Sequence, residues 1–165
     1  AADTEAVEYA VKATYLAKFS FYVTWPGTAF PSPDSAINLC VVGHDPCGVT
    51  LDKAVSGESI DGRAIVIRRL KTVGRDSGCH ILYIGGSETQ RPSQIIEAVH
   101  GSSVLTVSDA SRPDTAAGII TFVTRDNRVR FDIDDEAAAQ NGLAFSSKLL
   151  GLALRVKARS TRESK

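Results

Sequence analysis

Short, nearly continuous runs of apolar and β-branched residues recur along this chain: Ile37 to Gly43, Ala64 to Leu70, Cys79 to Ile84 and Val104 to Val107. Several are apolar at successive positions, so both faces of the strand must be covered, as in the interior of a parallel sheet with helices packed on either side. Helix-sized segments between them, Val49 to Val55 and Pro92 to Val99, supply the crossovers. Pro92 sits in a first turn, where its missing N–H costs nothing. The expected fold class is α/β: a single domain over residues 1–165 with a largely parallel sheet flanked by helices. Short flexible ends are expected at about 1–3 and 158–165.

The two ends of the chain differ from this middle. Glu5 to Val23 reads as a helix with Val7, Val11, Tyr15, Phe19 and Tyr22 on one apolar stripe, stopped by Trp25-Pro26-Gly27. Near the C-terminus, Gly118 to Thr124 and Arg128 to Ile133 flank Arg125-Asp126-Asn127, residues that tolerate left-handed backbone. Val129, Phe131 and Ile133 alternate with Arg128, Arg130 and Asp132, which describes a C-terminal β-hairpin with one wet face. Asp134 is placed to cap a short helix from Asp135 to Asn141, with Gly142 just past its end. Ser146 is placed to cap a last helix running through Val156.

Chemistry is sparse. A dinucleotide fingerprint needs three spaced glycines opening a helix, and Gly85-Gly86-Ser87 lacks that spacing. His44, His80 and His100 pair with no evident nucleophile, so no catalytic residue is assigned and the chain is read as a non-enzyme. The acidic run Asp132, Asp134, Asp135 and Glu136 lacks the glycine of a calcium loop, and no metal or cofactor is implied. Equal numbers of basic and acidic residues, 19 of each, argue against a nucleic-acid partner, whose phosphates would call for a basic excess. The basic cluster Arg155, Lys157, Arg159, Arg162 and Lys165 reads as a solvated tail.

The chain contains no methionine and starts Ala1-Ala2-Asp3, the kind of start that signal-peptide removal leaves, so export through a removed signal peptide is expected. Export permits disulfides. Cys40, Cys47 and Cys79 allow three pairings on paper. Cys40 and Cys79 fall in strands of one sheet, which favours a Cys40–Cys79 bridge with Cys47 free, provided the register is right.

Several stretches together resemble the YfiR-like family of periplasmic proteins. They are Lys12-Ala13-Thr14-Tyr15-Leu16 through Phe19, Tyr22-Val23 and Trp25-Pro26; Leu39-Cys40-Val41-Val42-Gly43 with Asp45-Pro46; Cys79-His80-Ile81-Leu82-Tyr83-Ile84; Val104-Leu105-Thr106-Val107-Ser108-Asp109; and Val129-Arg130-Phe131-Asp132-Ile133 with Gly142-Leu143 and Ser146-Ser147-Lys148-Leu149-Leu150. The likeness runs in order over nearly the whole chain. It implies a homodimeric periplasmic repressor that binds the periplasmic domain of an inner-membrane diguanylate cyclase. An outer-membrane peptidoglycan-associated lipoprotein would sequester it, raising cyclic di-GMP and biofilm formation. It also implies the Cys40–Cys79 disulfide and redox sensitivity. The chain departs from the family at Ala117-Gly118-Ile119-Ile120, where a glycine pair is usual, and at Asp132 and Asp134. It has no cysteines near Asp114 and Thr121, where some members carry a second pair.

Two contact surfaces follow from this reading. One is the hairpin, with Ile120, Phe122, Phe131 and Asp132, where outward apolar side chains beside an acid would form an interface centre and rim. The other is the end of the first helix, with Tyr22, Trp25 and Pro26. The competing reading is a small-ligand-binding periplasmic receptor domain, with its ligand at the strand ends near His44, Ser87 and Asp109.

Overall fold

A computed structural model describes residues 2–43, 48–85, 91–110 and 116–159, with residues 2–6 described by backbone alone. The strands are β1 (Val23–Thr24), β2 (Ile37–Val42), β3 (Ser59–Ile60), β4 (Arg63–Leu70), β5 (Ile81–Ile84), β6 (Leu105–Asp109), β7 (Ile120–Arg125), β8 (Arg128–Asp134), β9 (Ala144–Phe145) and β10 (Arg155–Lys157). The helices are α1 (Ala2–Tyr22), α2 (Val49–Val55), α3 (Pro92–Ala98), α4 (Asp135–Gln140) and α5 (Ser147–Leu152). One eight-stranded sheet has the order β10-β8-β7-β6-β5-β2-β4-β3, and β1 pairs separately with β9. Neighbours from β4 through β7 are all parallel, while β7–β8 and β3–β4 are antiparallel. The α/β fold with its hairpin is thus the one the apolar runs imply.

The doubly apolar strands divide their side chains between two cores. Ile37, Leu39 and Val41 of β2 join Tyr83, Val107, Leu16 and Phe19 in the larger core, which also holds Leu51 and Val55 of α2. Cys40 and Val42, the alternate residues, join Leu82, Ile84, Ile95 and Val99 in the smaller core, to which α3 contributes. Each strand residue faces one layer or the other, and few positions are left for polar side chains.

The buried face of α1 is not the stripe expected from its valines and aromatics. Val7 is 64% and Val11 36% exposed, whereas Lys12, Ala13, Leu16, Ala17, Phe19 and Ser20 are buried. The helix lies rotated toward its small residues, Ala13, Ala17 and Ser20, which let its backbone approach closely. Phe19 belongs to both stripes and is fully buried. Tyr15 and Tyr22 sit at the margin, half-buried.

At the hairpin, Asp126 and Asn127 have φ of 55° and 63°, the paired left-handed conformation that a two-residue turn between twisted strands requires. Asp134 accepts a hydrogen bond from the Ala137 N–H at 3.0 Å, and Ser146 accepts one from the Leu149 N–H at 3.2 Å, so both expected caps are present. The last helix is shorter than expected. It ends at Leu152, the Leu154 N–H donates to the Phe131 carbonyl at 2.7 Å, and β10 continues as a strand parallel to β8. The basic C-terminal segment is therefore structured at least to Lys157. Arg159 makes a two-pronged ion pair with Asp135 at 2.7 and 3.0 Å rather than lying free in solvent.

Candidate functional site

The hairpin residues expected to face a partner are in the core. Ile120, Phe122 and Phe131 are each 0% exposed. Phe122 lies directly across the ladder from Phe131, and Ile120 from Ile133. The rings of Tyr15 and Phe19 from α1 lie over this pair. Tyr15 meets Phe131 edge-on at 5.1 Å, Phe19 meets it edge-on at 5.4 Å, and Phe19 stacks on Phe122 at 6.1 Å. The expectation that these side chains point outward is corrected. The apolar side of the hairpin is the side α1 covers, and strand alternation sends Asp132 to the other side. Asp132 is half-buried, and its Oδ1 finds no hydrogen-bond partner among the described residues.

The end of α1 divides differently. Trp25 is 8% exposed. Its indole N–H donates to the His80 carbonyl at 3.1 Å, and its ring meets Phe30 and His80 edge-on at 6.3 and 6.0 Å. It is a core residue with a satisfied polar edge, not a free anchor. Tyr22 and Pro26 remain half-buried. The β1–β9 pairing sets Val23 opposite Phe145, the Ser146 N–H donates to the Tyr22 carbonyl at 2.9 Å, and the Lys148 ammonium lies 5.8 Å from the Tyr22 ring centre. A Cβ at Gly142 would lie 3.7 Å from the Pro26 ring. Tyr22 and Pro26 thus share one surface with residues 142–148, where Ala144, Ser147 and Lys148 are exposed, and with Phe21, which is 45% exposed. The sequence reading missed the contribution of 142–148. Its one available signal was the pairing of a two-residue strand directly after α1 with another some 120 positions later, and strands so short carry no periodicity.

The strand-end site of the small-ligand reading is only partly described. His44 and Ser87 lie outside the described residues, as does Cys47 with its expected free thiol. Asp109, at the carboxyl end of β6, is 3% exposed and engaged. Its Oδ2 lies 2.6 Å from the Lys12 ammonium and 3.3 Å from the Tyr83 hydroxyl, and Lys12 also meets Glu8 at 2.8 Å. Burial alone would lower the Lys12 pKa, but the hydrogen bonds and charges of Asp109 and Glu8 outweigh it and hold it above the ordinary 10.5. This lysine stays charged and ties α1 to the sheet. Of the expected acidic cluster, Asp134 caps α4 and Asp135 pairs with Arg159. Among the described residues no three His, Cys, Asp or Glu side chains are grouped to hold a metal.

Cys40 and Cys79 are joined, with an S–S distance of 2.04 Å and Cα atoms 5.8 Å apart. The bridge ties β2 to the chain just before β5, its neighbour in the sheet. It lies in the smaller core, with Cys40 0% and Cys79 6% exposed.

This bridge, the aromatic lid of α1 on the hairpin and the capped C-terminal helices span the same stretch as a family-model match. The model described as YfiR/HmsC-like matches residues 9–154. The chain belongs to the YfiR/HmsC-like family. No curated protein matches the chain. The YfiR/HmsC-like match starts within α1 and ends just before β10, so β10 is an edge added beyond the matched stretch. No helix among the described residues is long and apolar enough to cross a membrane.

Proposed function

We propose that this chain is a periplasmic negative regulator that acts by binding proteins. It binds the periplasmic sensor domain of an inner-membrane diguanylate cyclase, holds down cyclic di-GMP synthesis and biofilm formation, and is relieved when an outer-membrane peptidoglycan-associated lipoprotein takes it up. Membership of the YfiR/HmsC-like family over residues 9–154 is the observation that carries this reading. The fold agrees with it in two ways. The buried Lys12 and Asp109 neutralise one another across α1 and β6. The surface that joins Tyr22 and Pro26 to residues 142–148 combines half-buried aromatic and proline side chains with an exposed lysine, the mixture of apolar centre and polar rim that protein contacts use. We assign partner contact to that surface, with Asp132 on the hairpin as a second contact, and a homodimer as the assembled form.

The test is a pull-down with the oxidised protein as bait on periplasmic and detergent-solubilised membrane extracts. Recovery of a diguanylate cyclase or a peptidoglycan-associated lipoprotein supports the reading. Recovery of neither by folded, bridged protein overturns it.

A further inference from the structure

The chain between β1 and β2 crosses the amino ends of the central strands, held there by the His80 imidazole and the Arg63 guanidinium. The His80 ring is 4% exposed, and both of its nitrogens are used. Nδ1 lies 3.0 Å from the Asn38 N–H, so it accepts and carries no proton. Nε2 lies 2.9 Å from the Ala29 carbonyl, which can only accept, so Nε2 carries the proton. The contacts therefore select one neutral tautomer. The ring also stacks on Phe30 at 4.5 Å with planes 16° apart. Arg63 of β4 lies with its guanidinium 3.7 Å from the Phe30 ring centre and donates to the Ser32 and Ser35 carbonyls at 3.0 and 2.9 Å. The backbone of His80 takes part as well: its carbonyl receives the Trp25 indole N–H and the Leu105 N–H.

A second proton on this ring has no place to go. It would point Nδ1–H at the Asn38 N–H, replacing an accepted hydrogen bond with two opposed donors in a buried site. It would also put a second cation against Phe30, which already carries Arg63. Of the groups packed around the ring, Trp25, Phe30 and Asn38 are uncharged, Cys79 is bridged and does not titrate, and Arg63 repels the charged form. Asp34, the acid of the same crossing segment, is engaged with the Ser32 hydroxyl at 2.8 Å. Burial first, and Arg63 second, hold the His80 pKa below its ordinary 6.5, although the hydrogen bond to Ala29 pulls the other way.

We propose that His80 is a proton-operated latch. In its neutral form it holds the segment from Pro26 to Ala36 against the amino ends of β2, β4 and β5, and its protonation releases that segment while the sheet stays folded. Release opens the edge beside the Cys40–Cys79 bridge and removes the packing of Phe30 on Trp25. The latch stands independently of the partners proposed above. Only its further consequence, that acid alters the Tyr22–Pro26 contact surface, rests on that reading.

The sign follows from the direction of the shift. A group whose folded pKa is depressed prefers the folded state in its neutral form, so the latch is closed above 6.5 and opens as pH falls through the lowered value. Trp25 is the sole tryptophan and sits in the latch, so its emission reports the opening directly. In an acid titration of the oxidised protein, the expected result is a red shift of Trp25 emission with a midpoint below pH 6.5, complete before far-UV circular dichroism changes. His80→Gln keeps an acceptor for Asn38 and a donor for Ala29 without a titrating group, so the early shift should vanish in that variant. Nitrogen NMR of the wild-type imidazole does not depend on the variant folding. It should show the Nε2–H tautomer at neutral pH, titrating together with the Trp25 shift. The proposal fails if emission holds steady until the secondary structure is lost, if H80Q folds and keeps the early shift, or if the ring titrates at or above 6.5.

Discussion

The Lys12 ammonium and the Asp109 carboxylate are 2.6 Å apart, with side chains only 1% and 4% exposed, and they join the first helix to the carboxyl end of β6 across 97 positions of sequence. Removing one member leaves the other charge buried without its main counterion. Asp109→Ala should therefore destabilise the fold by about 3–5 kcal/mol. Lys12→Met together with Asp109→Leu should cost far less, because no buried charge is stranded. Urea unfolding of the single and double variants tests this; equal losses would show that the pair acts through packing alone. The raised Lys12 pKa gives a matching pH dependence. Its contribution is complete below 10.5 and is lost as pH rises through the higher folded value, so alkaline unfolding should shift in Asp109→Asn.

The Cys40–Cys79 bridge closes a loop with a sequence separation of 39 residues. In the chain-entropy account such a loop contributes about 4 kcal/mol by restricting the unfolded chain. Cys40→Ser with Cys79→Ser should lower unfolding stability by about that much, measured without reductant. Because both sulfurs lie in the smaller core, a mild reductant should leave the bridge intact at neutral pH. Rapid reduction of native protein at neutral pH would contradict the burial.

Core and contact residues of the hairpin and helix end should separate cleanly. Phe131→Ala removes a ring packed on Tyr15, Phe19 and Phe122 and should cost about 3–5 kcal/mol. Tyr22→Ala and Lys148→Glu alter half-buried and exposed side chains, and each should cost about 1 kcal/mol or less while reducing partner capture in the pull-down. Thermal melts alongside capture assays check both halves. A Lys148→Glu variant that captured partners as well as wild type would exclude that side chain from the interface.

Gly118 lies where a side chain has no room. A Cβ there would sit 3.0 Å from the Thr106 carbonyl oxygen, and the Gly118 N–H donates to the Ser108 hydroxyl at 2.9 Å. Gly118→Ala must push β7 away from β6, with a loss of about 1–3 kcal/mol. Ala117, one residue earlier, is exposed, and Ala117→Gly should change stability by less than about 1 kcal/mol. Denaturant midpoints for the two variants give the comparison.

Local features were legible because local physics decides them. Asp134 and Ser146 cap helices wherever those helices lie, since the N–H groups they satisfy are two or three residues away. Asp126-Asn127 turns because both residues tolerate positive φ. The surface proposed for partner contact was half legible. Tyr22 and Pro26 sit on it, but Trp25, Ile120, Phe122 and Phe131 are core, because an apolar side chain on a strand or helix end reads the same in sequence whether it meets a neighbour or a partner.

The amino-acid sequence by itself determined the elements, their order and the need to cover both faces of the central strands, since these depend on periodicity and on residues a few positions apart. Only the tertiary structure decided which way α1 is rotated, because both sides of that helix carry apolar residues and the choice rests on partners far along the chain. Lys12 can be buried only because Asp109 waits at the end of β6, and Trp25 turns inward only because the His80 carbonyl accepts its N–H. Burying a polar group is favourable only with its partner in place, and that partner exists only once the fold has brought it there.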